Sequence, residues 1–274
     1  MSRSMRKSGV LVKINPMSVQ EGTIQANGRE LEYRRHLGQS EEVPPIVMLH
    51  EGLGSVSTWR GFPALLAART GAEVLVYSRY GYGRSAVRRD AFGVDYMHNA
   101  ALAELPEFLT ALKIERPILF GHSDGASIAL IFGGAHPTKI SGIIVEAPHV
   151  FTEEISLNSI VTIRKSYESS DALRNLLSRH HTDPDASFYG WNAVWQLPKF
   201  RNWNIEEFLP DIQCPTLVLQ GTDDEYGTTN QVDRIVAGSG GLVETLILGD
   251  CGHAPHRDQL ETVLAASKHF VDAL

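Results

Sequence analysis

The stretch PILFGHSDGASIALIF, residues 117–132, decides how the rest of the chain is read. Its first part, Pro117–Gly121, is a short apolar run of the kind that forms a strand buried on both faces of a parallel sheet. Its last part, from Ala126 onward, reads as a helix. Between them Gly121-His122-Ser123-Asp124-Gly125 has the form G-x-S-x-G. A serine on a sharp turn from strand to helix is held under backbone strain, and the residues two places to either side must be small. Gly121 and Gly125 meet that need. The helix that follows turns its first amide N–H groups, and the positive end of its dipole, toward charge that develops beside the serine.

Runs like PILFG recur on both sides: Pro45–His50, Glu73–Tyr77, Ile140–Glu146, Pro215–Gln220 and Leu242–Leu248. Helix-like segments lie between them, at about 57–69, 95–113, 124–135, 227–237 and 255–273. In 95–113, Leu102, Leu105, Leu109 and Leu112 fall at helical spacing. Alternation of strand and helix predicts an α/β fold with a mostly parallel central sheet flanked by helices. Ahead of it, Val19–Ala26 and Arg29–His36 are joined by Asn27-Gly28, the signature of a hairpin. One segment breaks the alternation. Residues 150–208 lack buried-strand runs and hold three of the four tryptophans, Trp191, Trp195 and Trp203. This segment is expected to be a helical cap inserted into a core of residues 19–149 and 209–274, with residues 1–18 as an N-terminal tail.

Composition narrows the function classes. A chain of 274 residues buries about 75% of the surface its unfolded form exposes, so it folds without disulfides or structural metal. The net charge of −7, from 25 Lys and Arg against 32 Asp and Glu, argues against a nucleic-acid partner. No run of about 18 apolar residues is present, so no membrane span is expected. Near the N-terminus the apolar run Val10–Val12 is too short for a secretion signal. Two cysteines, Cys214 and Cys251, read as free thiols in a reducing, cytoplasmic setting.

A serine nucleophile needs a base, and the base needs a carboxylate to orient it. Two segments at strand ends supply them. Gly221-Thr222-Asp223-Asp224-Glu225-Tyr226-Gly227 follows one strand, and Gly249-Asp250-Cys251-Gly252-His253-Ala254-Pro255-His256 follows the next. Ligand sites of open α/β sheets lie at such carboxyl ends. The acid is Asp223 or Asp224, and the base comes from the second segment. His253 and His256 also have the spacing of a metal pair, but no third ligand accompanies them, so neither metal nor cofactor is expected.

Over residues 19–274 the chain resembles the α/β-hydrolase family. That resemblance implies Ser123 as nucleophile, Asp224 (three residues after the strand-ending glycine, with Asp223 as fallback) as the acid, and His253, in a G-H-x-P pattern, as base. It further implies an oxyanion hole from the backbone N–H groups of Gly52 and Asp124, because His50-Glu51-Gly52-Leu53-Gly54 is similar to the family's H-G-x-x-G. Glu51 departs from that pattern, since glycine is usual there. A carboxylate beside an oxyanion opposes catalysis unless it is paired, and Arg79 or Arg84 is its expected partner.

Glu51, His149, Trp191 and Trp195 are candidate pocket residues, with Trp203 as a further aromatic. Arg164, Lys165, Arg174, Arg179, Lys199 and Arg201 are candidate charges for a substrate carboxylate. The resemblance implies a serine hydrolase acting on a small carbonyl compound, first a carboxylic ester of apolar character. Alternatives are a C–C bond hydrolase of the ring-cleavage type, a lactonase, a non-hydrolytic enzyme with the same three residues, or a ligand receptor. The oligomeric state, monomer or homodimer, is left open.

Overall fold

The computed structural model describes residues 19–40 and 42–274. The expected tail, residues 1–18, lies outside the described residues. Eight strands appear, two at the expected hairpin and six at the apolar runs: β1 (Val19–Ala26), β2 (Arg29–His36), β3 (Ile46–Leu49), β4 (Val74–Tyr77), β5 (Ile118–His122), β6 (Gly142–Glu146), β7 (Thr216–Gly221) and β8 (Val243–Leu248). They form one sheet in the order β1-β2-β4-β3-β5-β6-β7-β8. The hairpin β1–β2 is antiparallel and joins β4 in antiparallel fashion, and all other pairings are parallel.

The all-apolar strands follow from helices on both faces. Ile46, Met48, Val74, Val76, Ile118, Phe120, Leu217 and Leu219 point to one core. There they meet α1 (Phe62–Thr70) and, near the C-terminus, residues Val263, Leu264 and Phe270. Their neighbours Val47, Leu49, Leu75, Leu119 and Val218 point to the other core. Successive strand residues face opposite ways, so a strand covered on both sides has no polar position to spare. β8 departs from the expected double burial: it is the sheet edge, and Glu244, Thr245 and Ile247 are exposed.

Helix boundaries shift modestly. Residues 57–61 are turns, and α1 begins at Phe62. The segment expected over 95–113 is α2 (Tyr96–Asn99), a π-helical turn at Ala100–Glu104 and α3 (Leu105–Ala111). Pro106, which has no N–H to donate, sits just past that widening. The helix α4 (Asp124–Ala135) has the bounds expected.

Between β6 and β7 come α5 (Glu154–Ser169), α6 (Asp171–Leu177) and α7 (Pro184–Trp195), followed by two 3-10 turns. Asp183 caps α7 by accepting from the Ala186 N–H, and Pro184 occupies its first turn. The chain enters and leaves this segment side by side. Phe151 bridges Asn204, and Ile205 N–H donates to Val150 O at 2.8 Å. Much of its aromatic content is its own packing, with Tyr167 stacked on Phe188 at 3.7 Å and Phe200 on Trp203 at 5.5 Å. After β7 come α8 (Asn230–Gly238), α9 (Pro255–Asp258) and α10 (Leu260–Asp272), the last two separated by Gln259. Among the described residues no helix is long and apolar enough to cross a membrane.

Candidate active site

Ser123 occupies the turn between β5 and α4 with φ 54° and ψ −117°, a conformation few non-glycine residues adopt. The turn explains its glycines. A Cβ on Gly121 would lie 2.4 Å from the Gly125 carbonyl oxygen, and one on Gly125 would lie 2.0 Å from that of Leu49. The turn is pinned from β6, because Ser123 N–H donates to Glu146 O at 2.9 Å.

Three elements far apart in sequence meet here. Ser123 Oγ lies 2.9 Å from His253 Nε2, and His253 Nδ1 lies 2.8 Å from Asp224 Oδ1. Asp224 stands in a turn after β7, and its carboxylate also accepts from Tyr226 N–H (2.8 Å), Gly227 N–H (3.3 Å) and Gln220 Nε2 (2.8 Å). Burial alone would raise its pKa. The imidazole and these N–H donors outweigh that and hold the carboxyl well below the usual range. The fallback, Asp223, is exposed and near Thr222 instead.

The loop after β3 brings Gly52 to the same cavity. His50 Nε2 accepts from the Arg79 N–H at 3.0 Å, so its Nδ1 carries the proton and donates to Glu51 O at 2.7 Å. Arg79 Nη2 (2.9 Å) and Gly54 N–H (3.1 Å) donate to the same carbonyl. The peptide is trans, so the Gly52 N–H points away from that cluster of donors. Neither the Gly52 nor the Asp124 N–H has a hydrogen-bond partner among the described residues.

Glu51 pairs differently from the expectation. Arg79 serves its carbonyl, and the ion-pair partner of Arg79 is Asp124 at 3.8 Å. Arg84 donates only its backbone N–H, to Glu32. The Glu51 carboxylate instead lies 3.7 Å from His122 Nδ1 and 3.6 Å from Arg257 Nη2. Burial opposes its charge, but His122, His50 and Arg257 together hold its pKa well down. Among the described residues His122 makes one hydrogen bond, its Nε2–H donating to the His253 carbonyl at 2.6 Å.

A cavity of about 420 Å³ opens over Ser123. All four candidate pocket residues line it: Glu51, His149, Trp191 and Trp195. Burial and the nearby His253 push the His149 pKa down to about 4, so its ring is neutral at pH 7. Trp203 does not line this cavity; it stacks on Phe200 beyond Trp195. None of the six candidate cations of residues 150–208 lines the cavity. Arg164, Arg174 and Arg201 are held by Glu168, Asp185 and Glu154. The cation that does line it is Arg257, one helical turn past His253, which the sequence reading passed over together with Tyr226, Ile160 and Ile163. The G-H-x-P segment was the available signal for Arg257, since α9 starts at its proline. His256, the other half of the suspected metal pair, turns to Glu146 at 2.7 Å.

Polar contacts tie the inserted helices to the loop after β4 and to α2. His181 Nδ1 accepts from the Gly83 N–H (3.0 Å) and its Nε2–H donates to Leu53 O in the loop after β3 (2.9 Å), Ser187 Oγ donates to Gly81 O (2.7 Å), and Trp195 Nε1 donates to Tyr96 OH (3.0 Å). Tyr96 OH in turn donates to Asp124 at 2.5 Å.

These features agree with sequence kinship. The chain belongs to the alpha/beta hydrolase family, whose sequence model matches residues 46–266. It is 24% identical over 299 residues to a proline iminopeptidase of Lactobacillus helveticus strain DPC 4571, over 93% of this chain and 99% of that one. It is 30% identical over 209 residues to the putative carbamate hydrolase RutD of Yersinia enterocolitica, over 68% of this chain and 73% of that one. Among solved structures, the meta-cleavage product hydrolase of Pseudomonas fluorescens IP01 shares the fold, with a TM-score of 0.74 at 16% identity, over 92% of this chain and 98% of that one.

Proposed function

We propose that the protein is a serine hydrolase that cleaves a small carboxylic ester through an acyl-enzyme. The observation that carries this reading is the unbroken line from Ser123 through His253 to Asp224, at 2.9 and 2.8 Å. Ser123 Oγ attacks the carbonyl carbon as its proton passes to His253 Nε2, and the carbonyl π pair becomes an oxyanion. The N–H groups of Gly52 and Asp124 receive that charge. Collapse breaks the bond to the leaving alkoxide, which takes the proton from His253. Water then attacks the acyl carbon by the same route in reverse and frees the acid. Asp224 holds the imidazole orientation and stabilises its protonated form. The inserted segment, residues 150–208, acts as a cap that closes the cavity from above.

An ester with a compact apolar acyl group suits walls of Ile160, Ile163, Trp191, Trp195 and Tyr226. Kinship to a proline iminopeptidase along nearly the whole chain supports amide cleavage as a second reading. The C–C bond and lactone readings rest on shared fold. The deciding experiment is fluorophosphonate labelling with a p-nitrophenyl ester chain-length series, on wild type and Ser123→Ala. Labelling and turnover in wild type, both abolished in the variant, are expected. A folded wild type that resists labelling would reject an activated Ser123. Labelling without ester turnover would move the reading to the amide, C–C, lyase or receptor alternatives.

A further inference from the structure

Three residues lining the cavity over Ser123, namely His122, His149 and Trp191, keep a buried side-chain nitrogen without a hydrogen-bond partner among the described residues, and Trp191 is the one whose nitrogen can only donate. It lies on α7, is only 7% exposed, and its indole Nε1 has no hydrogen-bond partner among the described residues. Trp195, one turn further on, spends its N–H on Tyr96. A donor buried without a partner costs free energy, so its position calls for a use.

Its position is specific. A Cβ on Gly52 would lie 2.1 Å from Trp191 Nε1 and 2.5 Å from Cε2. The N–H edge of the indole therefore rests on the Cα of Gly52, whose own N–H is one of the two free amides at the serine. Any side chain at position 52 would push the indole off. Trp191 favours the ionised Asp124 carboxylate but makes no hydrogen bond to it. Both close contacts of that carboxylate are made by Oδ2, with Tyr96 OH at 2.5 Å and Arg79 Nη2 at 3.8 Å. The indole donor, without a hydrogen-bond partner among the described residues, sits at the edge of the cavity that holds Ser123, Gly52 and Asp124.

We propose that the Trp191 indole N–H is a third donor to the substrate's acyl oxygen, supplied by the inserted segment to the two amides of the core. The inference rests on the serine acyl-transfer reading above. It makes the chemistry depend on how the insertion is seated, because displacing α7 removes a donor without disturbing Ser123, His253 or Asp224. A carbonyl oxygen accepts weakly in the ground state and strongly once it carries charge, so the donor acts mainly on kcat.

Trp191→Phe keeps the ring and removes the N–H. On p-nitrophenyl butyrate it is expected to lower kcat by about 10- to 100-fold with KM changed less than threefold, somewhat below the loss of a principal oxyanion donor. A trifluoromethyl ketone, which adds Ser123 as a tetrahedral hemiketal, is expected to bind more weakly by a similar factor. Trp203→Phe removes an equally orphaned indole N–H that lies outside this cavity, and is expected to change neither quantity. Replacement of Trp191 by 3-benzothienylalanine, which puts sulfur in place of N–H at nearly the same size, is expected to reproduce the loss and covers the case in which the Phe variant folds poorly. Unchanged kcat and unchanged ketone affinity in the benzothienyl protein would overturn the proposal. So would a loss expressed only in KM. A wild type that is not labelled by fluorophosphonate would instead remove the serine reading itself, so the two failures are distinct.

Discussion

His253 and His256 sit three residues apart, and each sets its Nδ1 against a carboxylate, Asp224 at 2.8 Å and Glu146 at 2.7 Å. Beyond that their surroundings differ. Asp224 is saturated by two amides and Gln220, and the second nitrogen of His253 meets Ser123 at the floor of the cavity. Glu146 and His256 are buried, with side chains 0% and 2% exposed, and Glu146 Oε1 and His256 Nε2 have no partner among the described residues. The His256 ring packs on Trp59 and Phe62 at 4.8 and 5.3 Å. A histidine–carboxylate pair is a proton relay only where its far nitrogen reaches a nucleophile that faces substrate. In the dry pair the same contact is a strut between β6 and α9. Glu146 joins the two pairs, because its carbonyl holds the Ser123 N–H while its carboxylate holds the loop that carries His253.

The sharpest way to break this contrast is to remove each member of the His253–Asp224 pair in turn. If the proposed triad operates, His253→Ala is expected to lower kcat by on the order of 10⁶-fold, and Asp224→Asn by about 10⁴-fold. Steady-state rates on a p-nitrophenyl ester, with melting as a check on folding, measure both. If Glu146→Gln matched these losses with melting unchanged, the two pairs would have been assigned the wrong way round.

The opposite signature is expected for the strut. Glu146→Ala leaves His256 buried without its partner, which costs about 2–3 kcal/mol, the upper range for an orphaned buried polar group. The folded enzyme should retain kcat within about tenfold, since no group at the serine is lost. Chemical denaturation together with rates at low temperature separates the two effects. A stability loss near zero would mean that Glu146 and His256 do not hold the loop.

The Ser123–His253–Asp224 contacts could be anticipated from the sequence and the Glu146–His256 contact could not, for a physical reason. Gly121 and Gly125 are visible because the strained turn leaves no room for a Cβ. The apolar strands are visible because helices cover both faces of the sheet. A strand end followed by Gly-His-x-Pro likewise exposes His253. Glu146 carries no such local mark; its role depends on β6 lying beside β5, with His122 opposite Glu146. Glu51 shows the same limit. Its expected partner Arg79 was right about the loop and wrong about the atom, because the guanidinium takes the carbonyl and the carboxylate turns to Arg257, a residue distant in sequence. Which tryptophan lines the cavity depends on how α7 docks, and so Trp191 and Trp203 look alike in the sequence but part company in the structure.

The smallest expected effect lies where the two pairs touch. His122 stands between them, with its ring 5.2 Å from both His253 and His256, and its Nε2 is 2.6 Å from the His253 carbonyl. Burial works against its charged form, but the Glu51 and Glu146 carboxylates outweigh it and raise its pKa above 6.5. A raised histidine pKa stabilises the fold fully below the unfolded value of about 6.5, and that contribution is lost as pH rises through the folded value. Glu51 has the opposite sign: its lowered pKa adds stability above about 4.3 that is lost only in acid. As pH rises through the raised His122 pKa, then, Glu51 stays charged while His122 loses its proton, and the pair weakens. Melting temperature in wild type should fall across this range with a component that His122→Gln removes, and Glu51→Gln should remove the same component because it takes away the main cause of the raised pKa. Glu51→Gln should also cost more in melting than in kcat, since its carboxylate is engaged by His122 and Arg257 rather than by Ser123. A large kcat loss with unchanged melting would instead place the Glu51 carboxylate in the chemistry. A pH slope that survives in both variants would place its source elsewhere than the His122–Glu51 contact.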